Sequence, residues 1–297
     1  MSIKNRQARS GWGFLAPFLV LFVAFFILPI LYAIYQSLFT VKRTGELGLG
    51  GQELSFSWFD NYTTALSDTA FVDSLWTVLI FALIQVPVMV LLALTLALLL
   101  ESASARGVGF FRTAYFLPHG VPGVIASILW GFLYVPGISP LYNLFESVGL
   151  SVDFISPDTI LLSIVNIVTW EFAGYNVLVL IAQLKAVNPN LFEAARVDGA
   201  SPWRIIWHIK LPLARPAIVM ATVFTIVGSL QLFAEPLVLR PVAASITYTY
   251  TPNLAAYNEA FFENNYQLAA AQAVVLAAVA MVLSFGFLRI FGRGDKQ

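Results

Sequence analysis

Polar side chains inside long apolar stretches are the first candidates for chemistry in this 297-residue sequence. They are Glu171, Tyr175, Asn176, Ser229, Gln231 and Glu235. Placing a polar group at membrane depth costs free energy, so such groups mark candidate functional sites. An aromatic ring beside hydrogen-bonding groups suits a sugar, whose ring has an apolar face and whose hydroxyls need donors and acceptors. The sequence therefore predicts that these residues line a pathway for a solute of this kind.

The acids in this set also have simpler interpretations. Glu235 lies near the end of its apolar stretch, where its carboxylate would meet water, and Glu171 would pair with another helix. Gln231 and Glu235 are four positions apart, so an uninterrupted helix would place both on one face.

Residues needed for enzymatic chemistry are absent or scattered. The sequence contains no cysteine, and its two histidines, His119 and His208, form no metal site or triad. No His-Glu-x-x-His, Gly-x-Ser-x-Gly or aspartate-dyad pattern is present, and no Gly-x-x-x-x-Gly-Lys-Ser/Thr loop could cradle ATP phosphates. The sequence predicts a protein that is not an enzyme and binds no metal or cofactor of its own.

Composition identifies the class of protein. Apolar residues make up 59% of the chain and charged residues 11%, against about 45–50% and 25% in soluble globular proteins. The formal net charge is zero, so no overall field favours nucleic acid. The sequence predicts a membrane protein.

Six stretches are long and apolar enough to span a bilayer as helices. They cover residues 14–38, 74–100, 113–135, 159–184, 216–239 and 264–288. An all-α membrane protein follows, with one transmembrane domain over 14–291, an N-terminal segment over 1–13 and a tail over 292–297. Most lysines and arginines fall at one set of ends, and only Lys42, Arg43 and Arg240 fall at the other, which predicts cytoplasmic termini.

The third predicted span contains two prolines and two glycines close together, which predicts that it is not one straight helix. These are Pro118, Gly120, Pro122 and Gly123. Each proline removes a backbone donor, which lipid tolerates only where protein or a wet cavity satisfies the freed groups. The pattern predicts a hinge or a cavity lining, and simple packing adaptation is the other interpretation.

The loop over 185–215 is too long for a turn and is patterned as two short helices. Pro189 opens the first helix and Gly199 ends it, while Ser201 caps a second that Leu211-Pro212 stops. Such a unit would form a compact knob at the cytoplasmic face. An amphipathic element lying on lipid headgroups is the other interpretation.

This loop resembles the EAA loop of permease subunits in binding-protein-dependent ABC importers. The matching positions are Glu193, Ala194, Ala195, Gly199, Ile209, Leu211 and Pro212, with Asp198 beside the glycine. Phe111 to Pro118, Asn61-Tyr62 and Gly174 to Asn176 are similar to the carbohydrate branch, of maltose and glycerol-phosphate type. The chain departs from the family at Leu239 to Ser245, where a glycine-rich stretch is usual.

The resemblance implies a type I importer permease fold with cytoplasmic coupling helices in a prokaryotic plasma membrane. It implies four kinds of partner: a second permease subunit that forms a heterodimer with this one, two ATP-binding cassette ATPases, an extracytoplasmic solute-binding protein and membrane lipid. ATP and Mg²⁺ would bind the ATPases, and the loop would dock in a cleft of one of them. A permease for a non-sugar solute, a secondary transporter or channel, and an intramembrane enzyme are the alternatives.

Overall fold

A computed structural model describes residues 3–43, 52–102, 105–150 and 152–292. The last five residues of the predicted tail and the first two of the predicted N-terminal segment lie outside this part of the chain. The chain divides into two compact units, one over 1–72 and 255–277 and the other over 73–254 and 278–297.

The described residues are mainly helical. The helices are α1 (Ile3–Phe22), α2 (Leu28–Ser37), α3 (Asp60–Ser67), α4 (Thr69–Leu100), α5 (Val108–Phe116), α6 (Gly123–Tyr134), α7 (Pro140–Ser147), α8 (Ile160–Ala186), α9 (Pro189–Val197), α10 (Pro202–Ile205), α11 (Leu211–Leu230), α12 (Ala234–Leu239), α13 (Pro252–Phe261) and α14 (Tyr266–Phe291). Short π-helical segments join α1 to α2 and α10 to α11, and a 3₁₀ turn follows α5.

One antiparallel hairpin departs from the all-α prediction. It pairs β1 (Phe39–Arg43) with β2 (Gln52–Phe56). Phe39 lies opposite Phe56, and the two rings pack edge to face with centroids 5.3 Å apart. Strands this short give little periodic signal, and the aromatic cross-strand pair supplies part of their stability.

Five helical stretches in the described part of the chain are long and apolar enough to cross a membrane. They are Trp12–Ser37, Thr69–Leu100, Ile160–Ala186, Pro202–Leu239 and Tyr266–Phe291. The bent pair Val108–Gly120 and Gly123–Tyr134 makes a sixth if it crosses as one broken span. These stretches overlap the six predicted spans, and the first, second, third and fifth begin earlier than predicted.

The third span is broken where the prolines and glycines fall. The chain bends by 99° between Gly120 and Gly123. A 3₁₀ turn over Leu117–Gly120 precedes the bend, and Pro122 then acts as the N-cap of α6. Since proline cannot donate to the helical ladder, the helix ends and restarts here. Movement at this point as a hinge stays a prediction.

The fifth span is not the continuous helix over 216–239 that the sequence predicted. Helix α11 ends with Gln231 as its C-cap, and the next helix begins after Phe233, whose φ of −147° and ψ of −55° are not helical. Gln231 and Glu235 therefore do not share one helix face.

The predicted helix stop at Leu211-Pro212 is also wrong. The chain continues from α10 through the π-helical segment Ile206–Lys210 directly into α11. The wider π turn resets the hydrogen-bond ladder. Pro212 lies at the start of α11, directly after this wider turn, where the hydrogen-bond ladder changes register.

Small residues let the helices of the second unit pack closely. Ala93 and Ala97 of α4, Leu180 and Leu184 of α8 and Ala214 of α11 belong to one buried apolar cluster. Alanines in the facing positions reduce the distance between helix axes. This cluster fixes α4, α8 and α11, which carry most of the candidate site.

In the first unit, Asn61 joins α3 to the preceding chain. Its side chain is buried, and Nδ2 donates to the carbonyl oxygens of Ser37 at 2.9 Å and Phe39 at 2.6 Å. Both carbonyls lie where α2 gives way to β1, so the amide satisfies backbone acceptors that neither element uses.

Substituting Asn61 with alanine is expected to lower the free energy of unfolding by about 2 kcal/mol, because two carbonyls lose their donor. Thermal melting of the detergent-purified protein measures the loss. Thr63→Ala is the matched control, because the Thr63 hydroxyl bonds the Asp60 carbonyl in an exposed position. Equal melting temperatures for the two variants would contradict the assigned role of Asn61.

Candidate functional site

A cavity of about 520 Å³ lies within the second unit, between α4, α8, α11 and the break before α12. This volume falls in the range typical of small-molecule sites. Its walls are formed by Phe81, Gln85, Met89, His119, Val168, Phe172, Tyr175, Asn176, Phe224, Thr225, Gly228, Ser229, Gln231, Leu232, Phe233, Ala234 and Glu235. Aromatic rings cover much of the lining, and polar groups stand at a few points.

The structure brings five of the six sequence-predicted residues to this cavity. Tyr175 and Asn176 come from α8, Ser229 from α11, and Gln231 and Glu235 from either side of the helix break. The break keeps both Gln231 and Glu235 on the cavity wall although they belong to different helices. Two of these side chains have donors already in use, because Asn176 Nδ2 bonds the Phe172 carbonyl and Ser229 Oγ bonds the Thr225 carbonyl.

Glu171 is the sixth predicted residue and lies beside the cavity rather than on its wall. The position that a Cβ on Gly123 would occupy is 3.5 Å from both Glu171 carboxylate oxygens and 3.8 Å from Glu235 Oε1. The two carboxyl groups therefore converge on Gly123, one of the predicted break residues. An alanine Cβ at this position would touch both groups at ordinary van der Waals distance.

Neither acid has the environment that the simpler interpretations gave it. Glu235 is 9% exposed, so it is buried rather than open to water, and Glu171 is 6% exposed. Within the described residues the one ion pair joins Arg112 and Glu101, so neither Glu171 nor Glu235 pairs with a cation there. Glu171 Oε2 is buried and has no hydrogen-bond partner.

Sequence reasoning missed three polar residues of the lining, which are Gln85, His119 and Thr225. Gln85 precedes Pro87 in an apolar stretch, and its Oε1 accepts a hydrogen bond from Thr169 at 3.2 Å while its Nε2 has no partner. His119, which the sequence assigned to no metal site or triad, lies on the cavity wall against the rings of Phe172 and Tyr175. Gln85 could have been found from the sequence, because it is a lone glutamine in an apolar run. His119 could not, because it reaches the cavity wall only through the bend after α5.

The predicted knob forms a second candidate site, at the turn between α9 and α10. Asp198 is the C-cap of α9, and Gly199 follows with φ of +76°. The Gly199 N–H bonds the Arg196 carbonyl at 3.0 Å, and the Ala200 N–H bonds the Ala195 carbonyl at 2.9 Å. These two bonds define a Schellman motif, in which the left-handed position strongly favours glycine.

Most of the knob surface is exposed. Glu193 and Ala194 lie exposed on α9, Asp198 and Gly199 are exposed in the turn, and Ala195 is half-buried. Farther along, Ile209 and Leu211 are half-buried and Pro212 is exposed. The large side chains of Trp203 and Trp207 pack edge to face and remain exposed. Such a surface is suited to contact with a protein or with lipid.

Polar contacts hold the knob against the end of α4 and against α5. Lys210 Nζ lies 5.6 Å from the centre of the Phe192 ring and donates to the Glu101 carbonyl at 3.4 Å. The Glu101 carboxylate forms an ion pair of 2.6 Å with Arg112 of α5. Displacement of the knob would therefore act on both α4, which Glu101 follows, and α5.

Comparison with known proteins identifies relatives over nearly the whole chain. Residues 62–294 match the family described as binding-protein-dependent transport system inner membrane component. The chain is 31% identical to a lactose transport system permease protein of Rhizobium radiobacter, over 96% of this chain and 94% of the relative. It is also 31% identical to an sn-glycerol-3-phosphate transport system permease protein of Agrobacterium fabrum, over 91% and 90%.

A solved structure shares the fold. It is a bacterial ABC transporter involved in the import of the acidic polysaccharide alginate, and one of its chains matches with a TM-score of 0.82 at 23% identity. The match covers 98% of both chains. The importer permease fold that the sequence resemblance implied is thereby confirmed.

Proposed function

Because the chain belongs to the family of binding-protein-dependent transport system inner membrane components, we propose that it is the permease subunit of an ATP-driven ABC importer. It is a multi-pass protein of a prokaryotic plasma membrane, and it forms half of a translocation pathway. The observation that carries the proposal is the family match over residues 62–294, which includes both the cavity and the knob.

The transported solute is a sugar or a sugar-like molecule. The names of the relatives point to carbohydrates or their derivatives, since one transports lactose and another glycerol phosphate. The cavity supports the same class. Tyr175 and Phe172 offer ring faces for stacking, and Gln231 and Glu235 offer hydrogen-bonding groups beside them.

Energy reaches the pathway through the knob. ATP and Mg²⁺ bind partner ATPases, because the sequence contains no phosphate-binding loop of the Gly-x-x-x-x-Gly-Lys-Ser/Thr type. The knob, defined by Glu193 to Pro212, docks on an ATPase subunit. Its Lys210 bonds Glu101, which pairs with Arg112, so movement of the knob passes to α4 and α5. The broken third span, from Pro118 to Gly123, absorbs part of this movement as a hinge.

The complete assembly contains this chain, a second permease, two ATPases and an extracytoplasmic solute-binding protein, with both termini of this chain in the cytoplasm. The first predicted span has an apolar surface that can contact another protein or lipid. The most apolar part of Trp12–Ser37 contains no buried residue, and Phe18, Phe22 and Phe26 form a stacked ladder along it. That surface is available to lipid and to the second permease.

The test is purification of the tagged chain from native membranes in mild detergent, followed by identification of the co-purifying chains. We expect an ATPase with a phosphate-binding loop and a second permease. The reconstituted assembly, supplied with its solute-binding protein, should then take up sugar into vesicles only when ATP is present at the ATPase side. Recovery of the chain alone, still active in vesicles without ATP, would identify a secondary transporter or channel instead.

A further inference from the structure

The β1–β2 hairpin of the first unit is amphipathic, and its apolar face is the exposed one. We propose that this face lies against lipid in the outer interfacial layer of the bilayer, so that the hairpin lies on the membrane instead of projecting into water. The hairpin belongs to neither the cavity nor the knob, and its contact with lipid is independent of the solute that the permease carries. Its place on the outer side rests on the proposed orientation, in which both termini are cytoplasmic.

The strand register sorts the side chains of the hairpin onto two faces, because successive side chains of a strand point to opposite sides of the sheet. One face carries four apolar side chains in two cross-strand pairs. These pairs are Phe39 with Phe56 and Val41 with Leu54. The other face carries the pair of Thr40 and Ser55 between them. The hairpin therefore has an apolar face and a hydroxyl-bearing face.

The hydroxyl-bearing face is the one turned toward the protein. The hydroxyl oxygens of Thr40 and Ser55 are buried, and Thr40 lines a polar cavity of about 430 Å³ whose wall also includes Asn61. By contrast, the side chains of Leu54 and Phe56 on the apolar face are 59% and 49% exposed. A hairpin surrounded by water gains free energy from the reverse arrangement, with the apolar face covered by protein. The observed arrangement is the one expected where the surroundings of the hairpin are apolar.

Hydrogen bonds hold the hairpin at the end of the first span. Helix α2 ends at Ser37, and β1 begins two residues later at Phe39. Asn61 Nδ2 donates to the Phe39 carbonyl at 2.6 Å. On the returning side, the Ser57 N–H donates to the Leu38 carbonyl at 2.9 Å. Both ends of the hairpin are therefore tied to the end of this helix, and the apolar face has a fixed position relative to it.

Aromatic rings continue the exposed surface of the first span onto the hairpin. Tyr35 of α2 is exposed, and its ring packs on Phe39 with centroids 4.8 Å apart. Phe56, which lies opposite Phe39, packs in turn on Trp58 at 4.8 Å, and Trp58 is 64% exposed. Tryptophan and tyrosine are enriched where a membrane meets water. The surface of the hairpin is thus continuous with a helix surface that crosses the membrane.

The length of the first span places the hairpin at the depth of the headgroups. Trp12–Ser37 contains 26 residues, which at about 1.5 Å each extend to about 39 Å. The hydrocarbon core is about 30 Å thick, so a centred span passes beyond it by about one helical turn on each side. The hairpin that follows Ser37 therefore begins in the interfacial layer. An amphipathic element in this layer lies with its apolar face toward the acyl chains.

The test uses spin labels on single cysteines, since the chain has no cysteine of its own. Leu54→Cys places the label on the apolar face, and Glu53→Cys is the matched control, exposed on the other face of the same strand. The importer is assembled with cysteine-free partner subunits in lipid nanodiscs. Power-saturation EPR then measures accessibility to oxygen, which concentrates in hydrocarbon, and to a water-soluble nickel chelate. We expect the oxygen-to-nickel ratio at Leu54 to exceed that at Glu53 by at least about threefold.

Trp58→Cys is a second reporter on the same surface and decides the question if Leu54→Cys fails to assemble. A ratio on the apolar face equal to that at Glu53 would overturn the proposal, because this face would then be in water. Labels that neither reagent reaches would overturn it in favour of a second permease, and nickel accessibility lost only when the solute-binding protein is added would assign the face to that receptor. ATP-driven uptake by the labelled assemblies is measured in parallel, so a failure of transport is recognised separately from the position of the hairpin.

Discussion

Replacing Gly174 with alanine is expected to prevent the native packing of α5 against α8. A Cβ at this position would lie 1.8 Å from the Tyr115 carbonyl oxygen and 2.8 Å from the Phe116 Cα. These are backbone atoms, so no side-chain rotation can relieve the overlap. Overpacked core positions usually lose about 1–3 kcal/mol of stability, and a collision with backbone should exceed that range.

The consequence should extend to function, because α5 leads into the bend that places His119 on the cavity wall. We expect Gly174→Ala to lower the melting temperature of the detergent-purified protein sharply and to abolish uptake by the reconstituted assembly. Gly286→Ala is the matched control, since Gly286 also lies in a long helix, α14, and an added Cβ there meets no atom within 4 Å. A Gly174→Ala protein that melts and transports like the control would show that α5 and α8 do not approach as closely as described.

The span count was predictable from sequence because it depends on the length and hydropathy of each stretch. The bend at Pro118 to Gly123 was predictable for the same local reason, since proline cannot complete the helical ladder. By contrast, the end of α11 at Gln231 has no proline or glycine at the break itself. No local signal marks the end of the helix there, and pattern reasoning therefore predicted a continuous span.

In the candidate site, too, the features with a local sequence signal were predictable and the others were not. Polar residues in apolar stretches are conspicuous, and five of the six predicted pathway residues line one cavity. Their environments were not predictable, because the burial of Glu235 and its approach to Glu171 depend on how α12 packs after the break. Whether these residues touch solute stays a prediction.

The strongest functional effect is expected in the knob, at Gly199. Its φ of +76° costs a residue with a side chain about 1–2 kcal/mol, although an added Cβ would meet no atom within 4 Å. The penalty is therefore conformational rather than steric. Leucine should force the turn into another conformation and break the hydrogen bonds that Gly199 and Ala200 donate back to α9.

Gly199→Leu is accordingly expected to abolish transport while leaving membrane insertion intact. The knob would present α9 and α10 at a changed angle, so the ATPase should no longer co-purify or should hydrolyse ATP without driving uptake. Gly199→Asn is the matched control, because asparagine adopts the left-handed conformation more readily than other residues with side chains, and it should retain much of the activity. The three measurements are protein in the membrane fraction, recovery of the ATPase and ATP-driven uptake.

Comparing Gly199→Leu with Gly199→Asn distinguishes a need for the left-handed conformation from a need for a residue without a side chain. If Gly199 mattered because a partner surface packs closely over it, asparagine and leucine would both abolish transport, since both add a side chain to the exposed turn. If only the left-handed conformation matters, asparagine should preserve coupling and leucine should destroy it. Full uptake in Gly199→Leu would contradict both explanations and would remove the knob between α9 and α10 from the coupling path.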